Sequence, residues 1–145
     1  MAAMMQAYHG GCHCGAIRVT FETSRAPAEI QRRACQCSFC RAHGAVTMSD
    51  HEGAMRIDAR ADALVRYRFG LKTADFLLCK NCGIYVGAIY LEDDDGWAIV
   101  NSNAMHERDA FSAPIDKITY DGENPGSRGA RRKTKWTPLL AFNVA

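Results

Sequence analysis

Seven cysteines in 145 residues fall into three tight groups: Cys12-His13-Cys14, Cys35-Gln36-Cys37-Ser38-Phe39-Cys40 and Cys79-Lys80-Asn81-Cys82. Thiolates are soft ligands, and a CxxC turn aims two sulfurs at one ion about 2.3 Å from each. In extended chain, residues i and i+2 point to the same side about 6.6 Å apart, so Cys12 and Cys14 can also face a single ion. Neither pair makes a tetrahedron alone, but Cys12, Cys14, Cys79 and Cys82 together do. Cys35, Cys37 and Cys40 form a second set of three sulfurs. A structural zinc is normally ringed by four protein ligands, whereas a catalytic zinc keeps a position for water or substrate. Four plus three therefore predicts two zinc ions, one structural and one catalytic.

Other readings compete at each group. Cys79 and Cys82 could be a redox dithiol, but that motif opens a helix in a βαβ setting and here an apolar strand follows. Cys12 and Cys14 could be small buried residues. His43 follows Cys40 at x2 spacing and could close the second site as Cys3His, making that zinc structural too. His13 lies between two ligands and is expected to point away from their ion. If the fourth position is open, three thiolates blunt the Lewis acidity of zinc and suit capture of another soft thiolate. A thiol held there would lose its proton near neutral pH and attack a small electrophile such as an aldehyde. The reaction class expected is carbon–sulfur bond formation or its reverse. Arg41 could bind a substrate carboxylate through its planar fork, or be a surface arginine.

These donors need a scaffold of strands. Residues 16–22 alternate, with Ile17, Val19 and Phe21 on one face and Arg18, Thr20 and Glu22 on the other. A weaker strand over 28–34 delivers the chain to Cys35, and a helical turn capped by Ser38 runs over 38–43. Further strands are expected at 63–69, 75–79, 84–91 and 97–100, with turns at Gly70-Leu71-Lys72-Thr73 and Asp93-Asp94-Asp95-Gly96. Residues 101–109 carry no clear pattern. The chain then reads as a loop-rich tail in which Arg131, Arg132, Lys133 and Lys135 form a solvated basic run. The fold class is mainly β with little helix, in a single domain over 1–145.

Composition sets the frame. Hydrophobic content of 48% and charged content of 23% suit a globular chain with a core. No stretch approaches a membrane span, and residues 1–7 lack the regions of a secretory signal. Clustered cysteines of odd number favour metal ligation in a reducing compartment, so the expected location is the cytoplasm. Seven thiolates and two divalent ions would take the formal charge from +2 to −1, which makes a nucleic-acid partner a poor expectation.

The run Gly11-Cys12-His13-Cys14-Gly15-Ala16-Ile17, then Cys35-Gln36-Cys37-Ser38-Phe39-Cys40-Arg41 with Gly44, then Cys79-Lys80-Asn81-Cys82-Gly83, resembles the glutathione-dependent formaldehyde-activating enzyme family, which includes centromere protein V-like proteins. The resemblance spans about residues 10–136. It implies an Mss4-like fold of twisted antiparallel sheets stapled by zinc. It also implies a structural zinc on Cys12, Cys14, Cys79 and Cys82 and a catalytic one on Cys35, Cys37 and Cys40. The activity implied is that of a carbon–sulfur lyase resembling S-(hydroxymethyl)glutathione synthase, which joins glutathione or a similar thiol to formaldehyde. The alternative is a non-catalytic, zinc-stapled binding module of the same fold.

Overall fold

The alternation of Ile17, Val19 and Phe21 does produce a strand with one face in the core, all three side chains being at most 2% exposed. In the computed structural model, which describes residues 4–145, this strand is β2 (Ile17–Thr23), paired with β1 (Gln6–Gly11) on one side. The order continues β3 (Arg32–Cys35), α1 (Ser38–His43), β4 (Thr47–Met48), β5 (Ala54–Ala59), β6 (Leu64–Tyr67), β7 (Asp75–Cys79) and β8 (Tyr85–Glu92). It ends with β9 (Asp95–Asn101), β10 (Ile115–Ile118), α2 (Pro125–Lys135) and β11 (Thr137–Val144).

The strands make two sheets that share β11. One runs β1-β2-β5-β11. In the other, β9 pairs with β8, with β4 and with the first residues of β11. From β9 the sheet extends through β8, β7 and β6 in one direction and through β4, β3 and β10 in the other. The mainly β fold is as expected, and its largely antiparallel sheets are mixed at two places: β10 lies parallel to β3, and β11 lies parallel to β5. The reason is connectivity, because each of these partners is reached by a long crossover rather than a hairpin.

The main core fills the space between the sheets, with Phe21, Met55 and Ile57 meeting Leu77, Ile89 and Val100. Burying each such side chain contributes about 1.5–3 kcal/mol. On its other face β8–β9 offers Ala88 and Ile99 to Trp136, beneath α2.

Three local expectations are revised. The strand predicted over 28–34 is a 3-10 turn at Pro27–Glu29 followed by the shorter β3. The cap of α1 is Cys37, whose sulfur accepts from the Cys40 amide at 3.4 Å, not Ser38. The loop-rich tail contains α2 and β11. Asn124 caps α2 in a capping box with Ser127, and Pro125 opens its first turn.

Candidate metal centres and their cavity

The two cysteine pairs sit at the ends of two hairpins. Cys12 follows β1 and Cys14 precedes β2, while Cys79 ends β7 and Cys82 precedes β8. Both turns close by backbone bonds: Cys12 N–H donates to Ile17 O at 3.0 Å and Cys79 N–H to Ile84 O at 3.0 Å. The second turn also needs Gly83, whose φ of +79° disfavours any residue with a Cβ. Main-core packing brings the hairpin ends together. Cys14 Sγ lies 3.7 Å from Cys12 Sγ and 3.5 Å from Cys79 Sγ, across 65 positions of sequence.

All four sulfurs lie within 4.8 Å of one another. A tetrahedron with zinc–sulfur bonds of about 2.3 Å has edges of about 3.8 Å, so the spacing fits a single ion. The Ile17 amide donates to Cys12 Sγ at 3.2 Å, which fixes the position of that sulfur.

The trio is built differently. β3 delivers Cys35, and the cap and first turn of α1 fold Cys37 and Cys40 back onto it, so the three sulfurs also converge within 4.8 Å. Packed this closely they share protons unequally. A hydrogen bond from Cys40 pulls Cys35 down to about 6, and the same contact pushes Cys40 far above the ordinary thiol value.

Among the described residues no histidine or carboxylate joins either set. The His43 ring packs at a tilt, 4.7 Å from Phe39 and 5.5 Å from Tyr85. His13 is exposed, as its place between two ligands predicts. Two groups of cysteines could thus hold metal ions, one with four donors and one with three.

The difference in surroundings matters chemically. Cys35, Cys37 and Cys40 line a cavity of about 110 Å³ that the other four do not reach. Phe69 and Phe76 give the cavity an apolar wall, and the Phe39 ring packs with its centroid 5.0 Å from both of them and from Tyr85. The Tyr85 hydroxyl, packed in the same cluster, is buried with no hydrogen-bond partner, a donor left over beside the sulfurs.

The lining is also cationic, with Arg33, Arg128, Arg131 and Arg132 among its residues. Arg41 is not one of them. It is exposed on the last turn of α1, because that helix buries Cys40 instead.

The basic run is not a solvated tail. Arg132 is buried, Arg131 pairs with Glu123 at 2.7 Å and Lys133 with Glu92 at 2.6 Å. The cause is α2, which turns this run onto β8. Gly129 permits the contact, since a Cβ there would stand 2.6 Å from the Tyr90 hydroxyl oxygen. The spacing of Asn124, Pro125 and Ser127 carried the signal for this helix.

Among solved structures, a Rhodobacter sphaeroides protein is similar at 30% identity, over 83% of this chain and 94% of that one, with a TM-score of 0.49. A family model described as glutathione-dependent formaldehyde-activating enzyme matches residues 7–120, a segment that holds all seven cysteines. The chain belongs to the glutathione-dependent formaldehyde-activating enzyme family.

Proposed function

We propose that this chain is a zinc-dependent carbon–sulfur lyase-type enzyme that joins a thiol, glutathione or a similar one, to formaldehyde or another small aldehyde. Cys12, Cys14, Cys79 and Cys82 would hold a structural zinc, and Cys35, Cys37 and Cys40 a catalytic one. The observation that carries this reading is the difference between the sets. Three sulfurs line a cavity with no fourth histidine, cysteine or carboxylate donor among the described residues, and four sulfurs join two hairpins away from it.

Zinc on the trio supplies, when bound, a soft Lewis acid that lowers a thiol's pKa toward neutrality. The chain's own residues do the rest. Phe69 and Phe76 exclude water, which would otherwise compete with the thiol for the aldehyde carbon. The arginine wall draws in an anionic thiol.

The reaction is a simple addition. The thiolate sulfur gives an electron pair to the carbonyl carbon, a C–S bond forms, and the C=O π pair moves to oxygen. That oxygen takes one proton, matching the one the thiol gave up, so nothing is oxidised or reduced. The reverse reaction releases the same two partners. As a single domain over 1–145, the enzyme would work in the cytoplasm, where clustered thiols stay reduced.

The rival reading, a zinc-stapled binding module, finds no fourth ligand among the described residues to close the trio, which weighs against it. The test is the exchange rate between glutathione plus formaldehyde and S-hydroxymethylglutathione at equilibrium, read by magnetisation-transfer NMR. Zinc-loaded protein should speed the exchange in proportion to its concentration, and Cys37→Ser should not. A rate equal to the protein-free rate would move the assignment to the binding module.

A further inference from the structure

Two guanidiniums in the cavity wall are buried without a carboxylate. Arg132, 5% exposed on α2, donates to Thr73 Oγ1 at 2.7 Å, and its Nε has no hydrogen-bond partner. Its guanidinium lies 5.3 Å from the Tyr90 ring and 4.9 Å from the Trp136 ring, which fixes it in place. Arg33, 8% exposed on β3, donates to Ser49 Oγ at 2.6 Å.

Their neighbours Arg128 and Arg131 share one carboxylate, Glu123, at 2.9 and 2.7 Å, which offsets one of their two charges. Among the described residues, no acid forms a salt bridge with Arg33 or Arg132. Asp121 lines the cavity but is itself exposed. Burial, with Arg131 and Arg128 nearby, lowers Arg132 to about 10, so it stays charged at neutral pH.

A buried charge left unpaired is costly, and fixed charges of this kind are expected to meet an anion. Zinc on three thiolates would carry a net −1, less than the two unpaired positive charges. An open-ended planar fork suits a carboxylate.

We propose that Arg33 and Arg132 form a carboxylate seat in the cavity, so that the enzyme selects thiols bearing an acidic group over neutral thiols. This rests on the thiol–aldehyde reading above and deepens it. Half of the seat comes from α2, which begins beyond the matched residues 7–120.

The test separates binding from chemistry. S-methylglutathione offers the carboxylates but no thiol, and its diethyl ester masks them. Isothermal titration of the zinc-loaded wild type should show the ester binding at least about tenfold more weakly, the size of a lost charged hydrogen bond.

Arg132→Gln should collapse that ratio toward one. Lys135→Gln, which removes an exposed charge from the same helix, should leave it unchanged and so exclude a general field effect. Equal affinity of acid and ester in the wild type, or no binding of either, overturns the seat, and neither result depends on a variant folding. An equal loss of the ratio in Lys135→Gln overturns it as well. If acid and ester differ as expected while NMR shows no exchange, the seat stands and the reaction falls. If exchange is fast while acid and ester bind alike, the reaction stands and the seat falls.

Discussion

Replacing Cys79 with serine removes one ligand from a site that ties two hairpins together. Cys14 and Cys79 are 65 positions apart and their sulfurs 3.5 Å apart, so an ion between them closes a loop of that length. By the loop-closure relation for cross-links, restraining such a loop in the unfolded chain is worth about 4 kcal/mol at 25 °C. This is a floor, because zinc–thiolate bond energy adds to it, with apparent values of about 10–16 kcal/mol in zinc-finger peptides. A domain of this size loses roughly 3 °C of Tm per kcal/mol, so the floor corresponds to a fall of about 13 °C.

Cys37→Ser is the internal control. Its trio closes a loop of only six residues, 35–40, for which the same relation gives about 2 kcal/mol. Thermal unfolding by circular dichroism, with zinc counted on the same samples, separates the two. Cys79→Ser should melt at least about 13 °C lower, and Cys37→Ser should lose one zinc with a smaller fall. Unchanged melting in Cys79→Ser refutes the staple, and equal falls in both variants refute the division into one structural and one catalytic ion.

Other variants probe the scaffold. Gly129→Ala should destabilise the protein even though alanine gains about 1 kcal/mol of helix propensity, because its Cβ would meet Tyr90 at 2.6 Å; a variant more stable by that amount in urea unfolding contradicts the contact. Gly83→Ala meets no neighbour but must hold φ near +79°, a cost of about 1–2 kcal/mol, visible as a Tm roughly 3–6 °C lower. Asp75 is buried, which raises its carboxyl pKa, but hydrogen bonds from Arg68 and Arg66 outweigh burial and hold it below the ordinary value. Its contribution is therefore complete above the unfolded pKa of about 3.9 and fades as pH falls through the lower folded value. Asp75→Asn should cost about 1–2 kcal/mol at pH 7, with the gap to wild type narrowing below about pH 4. A gap that widens on acidification contradicts the ion pair.

The cysteine groups were legible because residue type and spacing alone define a soft ligand set, β2 because its apolar residues alternate, and β7 because it is a short apolar run between a turn and the CxxC. β7 falls at the predicted 75–79. β5 was missed although Met55 and Ile57 alternate with Arg56, since six residues between turns give a weak signal. α2 escaped for a different reason. Its buried positions are Gly129 and Arg132, so the contact with β8 is made by a missing side chain and a stacked guanidinium, and no apolar stripe marks the helix. The same substitution of charge for hydrophobicity hid the cationic cavity wall behind what read as a solvated run. Parallel pairing of β11 with β5 leaves no periodic trace, because alternation shows which face is buried and not which strand lies beside it. For His43, spacing permitted ligation, and the Phe39 and Tyr85 rings took its side chain instead.

The most direct measurement is zinc content with X-ray absorption at the zinc edge, on protein purified without chelator. A four-sulfur set and a three-sulfur set predict two zinc ions per chain, averaging about three and a half sulfurs, with the remaining ligand a light atom from solvent and no imidazole scattering. Binding of glutathione should then raise the average toward four. One zinc per chain, or a second ion closed by histidine, would contradict the open catalytic centre.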